Sequence, residues 1–316
     1  MKKAIVLLNM GGPNSLDEVE VFLTNMFHDK NIITVKSNLL RSLIAFMIVT
    51  SRKKAARANY AKLGGKSPIV GYTKQLVEKL KNEFKDTYVT YAMRYTPPFA
   101  KNVVEELKQK DINEVFLLPL YPQYSTTTTK SSLENFKEVL EPLHVKTLHV
   151  ERFYENRLYN ELLIEKIEEQ LKEKNSKEFE LIFSAHSLPQ SIVKSGDTYQ
   201  KEVLLHVELL KDILKEKNIV FKDIHVAYQS KLGPVKWLEP SLENKLKSLT
   251  WKKVIISPIS FTIDNSETEF ELSIEYKEVA DKLGFEEYLV AKCPNDSNKF
   301  VQVISQIIGN INSSIY

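Results

Sequence analysis

The chain has 316 residues, of which 43% are hydrophobic and 27% charged, and its 44 basic and 41 acidic side chains give a formal net charge of +3. This length is enough for two domains, and the balance of charges argues against a nucleic-acid-binding protein. The single cysteine, Cys293, excludes an intramolecular disulfide or a site of several cysteines and is typical of a reducing compartment.

The first apolar run, in "MKKAIVLLNMGGP", follows two lysines and ends in Gly-Gly-Pro. A signal peptide would end in small residues at a cleavage site, so this run predicts a first β-strand instead. No apolar stretch reaches the roughly 18 residues that a membrane-spanning helix needs. We therefore expect a cytoplasmic protein.

Short runs of apolar and β-branched residues alternate along the chain with charged segments that have helical spacing. Near-continuous apolar strands of this kind predict parallel sheets covered by helices on both faces. Amphipathic helices are predicted at 17–27, 72–84 and 159–174. Strands are predicted at 4–10, 88–95, 114–121, 145–153, 179–187, 224–230, 253–261 and 287–293.

The strands of the two halves end alike, in "NMGGP", "RYTPP" and "LYPQYS" and then in "SAHSLP", "QSKLGP" and "SPISF". Proline suits the point where a strand leaves its sheet, because it cannot donate to the ladder. The predicted fold class is α/β, with two similar domains, each a four-stranded parallel sheet flanked by helices, and a cleft between them. The expected domains are residues 1–150 and 151–298, with a last helix at 299–316 packing on the first.

A histidine stands at the predicted strand tip "FSAHSLP" (183–189). The neutral imidazole of His186 could accept a proton or bind a metal, and strand tips of open α/β sheets are where ligands bind. A histidine satisfied by backbone hydrogen bonds at a strand end is the competing interpretation. Taken alone, the motif favours that structural role.

The segment "FTIDNSETEFELSIEY" (261–276) would place Glu267, Glu271 and Glu275 on one face of a helix. Such like charges repel each other unless a metal ion or a cationic substrate lies nearby. Asp264 and Glu267 also fit a D-x-x-E capping box, so an ordinary acidic helix start is the alternative. The position after a predicted strand favours a functional role.

The segment "LLRSLIAFMIVTSRKKAARANYAKLGGKSP" (39–68) joins an apolar run to a basic cluster. It could be an internal amphipathic helix, or a surface helix that rests on a membrane or covers an apolar ligand. "LGGKSP" lacks the spacing of a phosphate loop, and "NMGGP" lacks the G-x-G-x-x-G pattern, so no dinucleotide is expected.

Together the motifs resemble those of the ferrochelatases, which insert ferrous iron into a porphyrin. The resemblance runs through "LLNMGGPNSLDEVEVFLTNMF", "LGGKSPI", "MRYTPP", "LYPQYS", "FSAHSLPQSIVKSGDTY", "QSKLGPVKWLEP", "FTIDNSETEFELSIEY" and "NDSNKF", over essentially the whole chain. It implies two Rossmann-like domains and a lyase of haem biosynthesis. Members that act on coproporphyrin III often carry tyrosine where Met10 stands, so protoporphyrin IX is the expected substrate and protohaem the product.

The resemblance also implies roles for individual residues. His186 matches the active-site histidine, and Glu267 matches the acidic residue that faces it across the porphyrin, the two handling the pyrrole protons and the metal. Glu271 and Glu275, with Asp264, match an acidic path for iron or protons. Residues that match the porphyrin pocket are Met10, Arg52, Tyr60, Ser67, Arg94, Tyr121 and Trp237.

Further expectations concern cofactors and partners. Ferrous iron is a substrate, no tightly bound cofactor is expected, and the cysteine-rich C-terminal extension that accompanies an iron–sulfur cluster in some members is absent. Asn265 stands where many members have histidine, and an amide cannot shuttle protons near neutral pH. The pocket lip at 36–58, with its apolar stretch 39–49, resembles a segment that touches the membrane in many members. A monomer or weak dimer without nucleic acid is expected. The alternative functions are a coproporphyrin III ferrochelatase, a cobalt chelatase and a non-catalytic porphyrin carrier.

Overall fold

The structure, a computed structural model, describes the backbone of residues 2–313 and the side chains of residues 2–310. These residues form two compact units, one extending to Arg152 and resuming at Ile304, the other spanning Phe153–Val303. The domain limits predicted at residues 150 and 298 stay predictions. Residues 314–316 of the predicted last helix lie outside the described residues.

The first unit contains a four-stranded parallel sheet in the order β2-β1-β3-β4. The central strand β1 is buried from Ala4 onward because helices cover both faces of the sheet. The strands are β1 (Lys3–Asn9), β2 (Thr87–Met93), β3 (Glu114–Pro119) and β4 (Lys146–His149). The helices are α1 (Glu18–His28), α2 (Asn38–Lys62), α3 (Ile69–Glu83), α4 (Ala100–Gln109) and α5 (Ser131–Leu140), which follows a short π-helical turn, Thr126–Lys130.

The second unit repeats this plan with a parallel sheet in the order β6-β5-β7-β8. Its strands are β5 (Glu180–His186), β6 (Asp223–Gln229), β7 (Lys253–Pro258) and β8 (Glu287–Val290). Its helices are α6 (Arg157–Leu171), α7 (Gln190–Lys194), α8 (Tyr199–Glu216), α9 (Leu242–Ser248), the π-helix Glu267–Glu275 and α10 (Tyr276–Lys282). A final helix, α11 (Asn298–Ser313), starts in this unit and ends in the first.

The predicted fold class, with two parallel four-stranded sheets flanked by helices, is confirmed. Several strands end earlier than predicted; β4, for example, ends at His149 rather than at residue 153. The predicted strands are too long because the residues that follow the last paired residue of a strand are also apolar and buried, as Leu120 after β3 and Ile259 after β7 are. Apolar runs therefore mark buried segments and not only paired strands.

Three strand ends of the second unit bring polar residues to one edge of the sheet. His186 is the last residue of β5, and Ser230 directly follows β6. The segment after β7 leads into the π-helix, whose i→i+5 hydrogen bonding is rare and is frequent at functional sites. Leu272 of this helix is fully buried in the core with Ile182 and Ile256, which ties the helix to the sheet.

Helix α2 is the longest helix of the first unit. It is capped at its N-terminus by Ser37, whose hydroxyl accepts a hydrogen bond from the Leu40 amide. Its first turns expose large apolar side chains, including Leu39 at 85% and Phe46 at 67%. Among the described residues, no helix combines the length and the apolar character that a membrane crossing requires.

Candidate active site

His186 and Glu267 are directly hydrogen-bonded, with Nδ1 of the imidazole 2.6 Å from Oε2 of the carboxylate. His186 ends β5, and its side chain is 38% exposed; Glu267 begins the π-helix, and its side chain is 18% exposed. The family resemblance places the two residues on opposite faces of a porphyrin. That expectation is wrong for this arrangement, because no ring can lie between two atoms in hydrogen-bond contact.

The start of the π-helix is held by Asn265, whose Oδ1 accepts a 2.7 Å hydrogen bond from the Glu267 amide. The Asn265 Nδ2 group donates to the carbonyl of Ile263, so both ends of this buried amide serve the local backbone. The predicted capping box between Asp264 and Glu267 is wrong. The Asp264 carboxylate instead accepts hydrogen bonds from Thr268 Oγ1 at 2.8 Å and Asn295 Nδ2 at 2.7 Å.

The protonation of the pair follows from its surroundings. Burial lowers the pKa of His186, but the charge and hydrogen bond of Glu267 outweigh burial, so that this pKa lies above its ordinary value. Burial raises the pKa of Glu267, but His186 and the Ser230 hydroxyl outweigh it, and this pKa lies below its ordinary value. Both directions favour an imidazolium paired with a carboxylate.

Ser230 connects this pair to a second carboxylate. Its Oγ lies 2.8 Å from Oε2 of Glu267 and 2.5 Å from Oε2 of Glu271, and its amide donates to Oε1 of Glu271 at 2.7 Å. Burial, and then the negative charge of Glu267, raise the pKa of Glu271 to about 7. Glu271 can therefore exchange a proton near neutral pH.

The other residues of the predicted acidic path have different environments. Glu275, at the end of the π-helix, is exposed. Both oxygens of the buried Asp264 are engaged by Thr268 and Asn295 and not by Glu267 or Glu271. The structure thus brings Glu271 next to the His186–Glu267 pair, whereas Asp264 belongs to a separate hydrogen-bonded cluster.

The family model for ferrochelatase matches residues 2–311 of the chain. A ferrochelatase from a Nitratiruptor species is 58% identical over 307 residues, which cover 96% of this chain and 98% of that protein. The ferrochelatase from Sulfurimonas denitrificans is 55% identical over 312 residues, covering 97% and 98%. The chain belongs to the ferrochelatase family.

A likeness of the whole fold accompanies this match. The solved structure of SirB from Bacillus subtilis with Fe3+ aligns with a TM-score of 0.58 over 99% of this chain and 98% of that one. At 11% sequence identity, this likeness shows the fold alone. As a ferrochelatase, the chain is a lyase of haem biosynthesis that inserts iron into a porphyrin.

The predicted pocket residues at the strand ends of the first unit differ in exposure. Met10 follows β1 and is half-buried, and its carbonyl accepts a hydrogen bond from the Tyr95 amide. Tyr121 is buried with its hydroxyl 3.1 Å from Ser132 Oγ. Arg94 forms a 2.9 Å ion pair with the buried Asp29 and lines an open cavity of about 360 Å³.

The other residues predicted to line the porphyrin pocket are two on α2, one in the segment that follows α2, and one in the second unit. Arg52 is exposed on α2, whereas Tyr60 of the same helix is buried. Ser67 is buried against Gly12, where a Cβ atom would lie 2.6 Å from its Oγ. Trp237 is half-buried, and within the described part of the chain its Nε1 has no hydrogen-bond partner. Porphyrin contact by these residues stays a prediction.

Sequence reasoning did not single out Ser230 and Gln229. The buried Gln229 accepts a 2.6 Å hydrogen bond from Ser184 Oγ, and its Nε2 lies 3.4 Å from the Glu267 carbonyl oxygen. Both residues belong to the motif "QSKLGP", and their place directly at the tip of β6, beside His186, was the available signal. Within the described side chains, no three His, Cys, Asp or Glu residues are grouped so as to hold a metal ion.

Proposed function

We propose that this ferrochelatase inserts ferrous iron into protoporphyrin IX, with His186 and Glu267 handling the pyrrole protons and the metal. The observation that carries this proposal is the 2.6 Å hydrogen bond between the two side chains at the carboxyl edge of the second sheet. That edge of an open parallel sheet is the usual place of a ligand.

The substrate chemistry calls for bases. A free-base porphyrin carries two inner N–H protons that must leave before all four nitrogens can bind a divalent metal. A positioned imidazole or carboxylate can accept such protons. Glu267 suits the first transfer, because its lowered pKa keeps it ionised.

The orientation of His186 supports a second role for it. Because Nδ1 is engaged by Glu267, the free ring nitrogen is Nε2, for which no partner is found among the described residues. When the imidazole is neutral, Nε2 carries a lone pair that can accept a proton or bind iron. Imidazole nitrogen and carboxylate oxygen both suit ferrous iron, and two such groups hold it weakly enough to pass on to the ring.

An anaerobic assay with ferrous iron and each porphyrin tests the substrate. We expect a higher kcat/KM for protoporphyrin IX than for coproporphyrin III; equal or higher values with coproporphyrin III would contradict the proposal. A Met10→Tyr variant is the matched probe, because members that act on coproporphyrin III often carry tyrosine where Met10 stands, and we expect the variant to shift the ratio of the two kcat/KM values toward coproporphyrin III.

The same assay separates the alternative functions. A cobalt chelatase would prefer Co2+ over Fe2+ when the two metals compete for one porphyrin. A porphyrin carrier would bind the ring without consuming it, so that the absorbance of the free porphyrin would persist with iron present.

We further propose that the exposed start of α2 contacts an anionic membrane surface. Leu39, Leu43 and Phe46 are all more than half exposed there. Lys53 forms an ion pair with Glu20, and Arg57 forms one with Asp17. Arg52 and Lys54 are also exposed and can contact lipid headgroups. Each such cation contributes about 1 kcal/mol near an anionic surface, so reversible binding is expected.

Co-sedimentation with vesicles that contain phosphatidylserine tests this contact. We expect Phe46→Ser to reduce the bound fraction, whereas Leu205→Ser, at an exposed apolar position on α8, leaves it unchanged. Equal loss in both variants, or no binding by the unmodified protein, would contradict the proposal.

A further inference from the structure

Tyr199 contacts the backbone at the end of β5, where His186 stands. It is the first residue of α8 and is only 6% exposed. Its hydroxyl lies 2.9 Å from the carbonyl oxygen of His186 and 2.6 Å from Oγ of Ser260. Asp197 holds the other end of the residue, because its Oδ1 accepts a 2.9 Å hydrogen bond from the Tyr199 amide. The tyrosine is therefore fixed both at its backbone and at its hydroxyl.

The carbonyl of His186 lies where the ladder between β5 and β7 stops. Beyond the paired residues of these strands, a further bond runs from the Ile259 amide to the Ser184 carbonyl at 3.1 Å. Bonds between parallel strands recur at even spacing, so the next donor, to His186, would be the amide of Phe261. That amide instead donates to the carbonyl of the last residue of β7. The tyrosine hydroxyl takes the place of this missing donor.

A count of protons sets the direction of both hydrogen bonds of the hydroxyl. A backbone carbonyl only accepts, so the single phenolic proton of Tyr199 goes to His186. The Ser260 hydroxyl must then donate to the phenolic oxygen. Ser260 follows β7 in the segment that leads to Glu267 at the start of the π-helix. Tyr199 therefore links the strand end of His186 to the segment that leads to Glu267.

We propose, on the basis of the proposed function, that Tyr199 is a positioning residue that holds His186 and Glu267 at their working distance. Both residues lie beyond the last residue pair of β5 with β7, so that ladder does not fix their spacing. A shift of either segment would change the 2.6 Å contact between the two side chains. Tyr199 touches neither iron nor porphyrin in this role and acts only through the pair.

Tyr199→Phe removes the hydroxyl and keeps the ring. The His186 carbonyl then loses its donor, and Tm should fall by a few degrees because a buried acceptor is left without a partner. We expect kcat for iron insertion to fall by roughly 10-fold to 10²-fold, since a misplacement of about 1 Å can cost about 10²-fold in rate. The KM for porphyrin should stay unchanged, because the variant removes no group that would contact the ring.

Tyr288→Phe is the matched control for stability. Tyr288 of β8 is buried, and its hydroxyl donates to the carbonyl of Leu272 at 3.0 Å. The variant removes the same kind of bond without removing a hydrogen bond of His186, so we expect a similar loss of Tm with nearly unchanged kcat. Equal kcat in Tyr199→Phe and Tyr288→Phe, or an unchanged kcat in Tyr199→Phe, would overturn the inference.

Ser260→Ala tests the link from its other end. It removes the donor to the phenolic oxygen, but Tyr199 can still donate to His186. We therefore expect a kcat between those of the unmodified protein and Tyr199→Phe, again with unchanged KM. A kcat equal to that of the unmodified protein would contradict the link to the segment that leads to Glu267.

Measuring His186→Ala in the same series keeps the two proposals apart. If His186→Ala is inactive while Tyr199→Phe turns over normally, the positioning role is wrong and the proposed function stands. If His186→Ala retains normal activity, the proposed function itself fails.

Discussion

His186 and Glu267 lie 81 positions apart in the chain, and their side chains share a 2.6 Å hydrogen bond. One ends a central strand, and the other begins a π-helix that reaches the same edge of the sheet after the adjacent strand β7. Because Nδ1 of His186 is hydrogen-bonded to Glu267, Nε2 is the ring nitrogen that remains available to a substrate. The pair is therefore oriented by the fold before any ligand binds.

Replacing Glu267 should lower the pKa of His186. Glu267→Gln removes the charge that raises this pKa and leaves burial, which lowers it, so the imidazole should titrate at a lower pH than in the unmodified protein. An NMR titration of the histidine C–H signals, with His186 assigned by substitution, measures the shift. Glu275→Gln, on the exposed end of the same helix, is the matched control and should leave the titration nearly unchanged. A His186 pKa that stays constant in Glu267→Gln would show that the pair does not form.

Asn265 should act as a cap and not as a proton carrier. Asn265→Ala removes the acceptor for the Glu267 amide and should cost about 1 kcal/mol in the free energy of unfolding, with lower kcat because Glu267 loses its anchor. Asn265→Asp keeps an acceptor oxygen and should preserve most of that stability. Urea unfolding measures the loss of stability, and a turnover assay measures kcat. An Asn265→Ala protein with unchanged stability and kcat would refute the role of Asn265 as a cap.

The close approach at Gly11 should make it intolerant of any side chain. Gly11 has φ +82°, and an added Cβ would lie 2.3 Å from Thr96 Oγ1. Gly11→Ala should therefore combine roughly 1–2 kcal/mol of left-handed strain with a further 1–3 kcal/mol of overpacking. Gly64→Ala is the matched control, because Gly64 has φ +80° with no neighbouring atom within 4 Å, and it should show the strain alone. Equal losses in thermal stability would contradict the close approach.

Acid should destabilise the protein through the buried His206. Burial lowers the pKa of His206 to about 3, against 6.5 for the free side chain. As the pH falls below 6.5, the unfolded chain binds a proton that the folded chain excludes, so stability declines by about 1.4 kcal/mol per pH unit until about pH 3. Above pH 6.5 this group contributes no pH dependence.

A non-titrating replacement isolates this effect. In the native protein, Nε2 of His206 lies 2.8 Å from Asn160 Oδ1 and can donate a hydrogen bond to it. In His206→Gln, the glutamine amide can make the same donation, but it does not bind a proton between pH 3 and pH 8. Urea midpoints measured between pH 4 and pH 8 should fall less steeply in the variant. Parallel profiles for the two proteins would mean that His206 does not titrate on unfolding.

The sequence predicted the sheets well because buried parallel strands are nearly continuous apolar runs, as "AIVLLNM" and "KVIISP" show. His186 and Glu267 were singled out because both lie in motifs that resemble those of the ferrochelatases, and their roles stay predictions. The contact between them was not predicted, since the hydrogen bond depends on how the π-helix is seated on the sheet. Ser230 was missed for a related reason: its positive φ is a tertiary property, and serine is not a residue that signals it.

Anaerobic iron insertion by His186→Ala is the most direct test of the central claim, that His186 and Glu267 handle the pyrrole protons and the metal. The side chain of His186 is partly exposed at a strand end, so the variant should fold with nearly unchanged Tm. We expect the loss of free protoporphyrin absorbance to slow by about 10²–10⁴-fold in the presence of ferrous iron, while porphyrin binding persists. Turnover close to that of the unmodified enzyme would contradict the account.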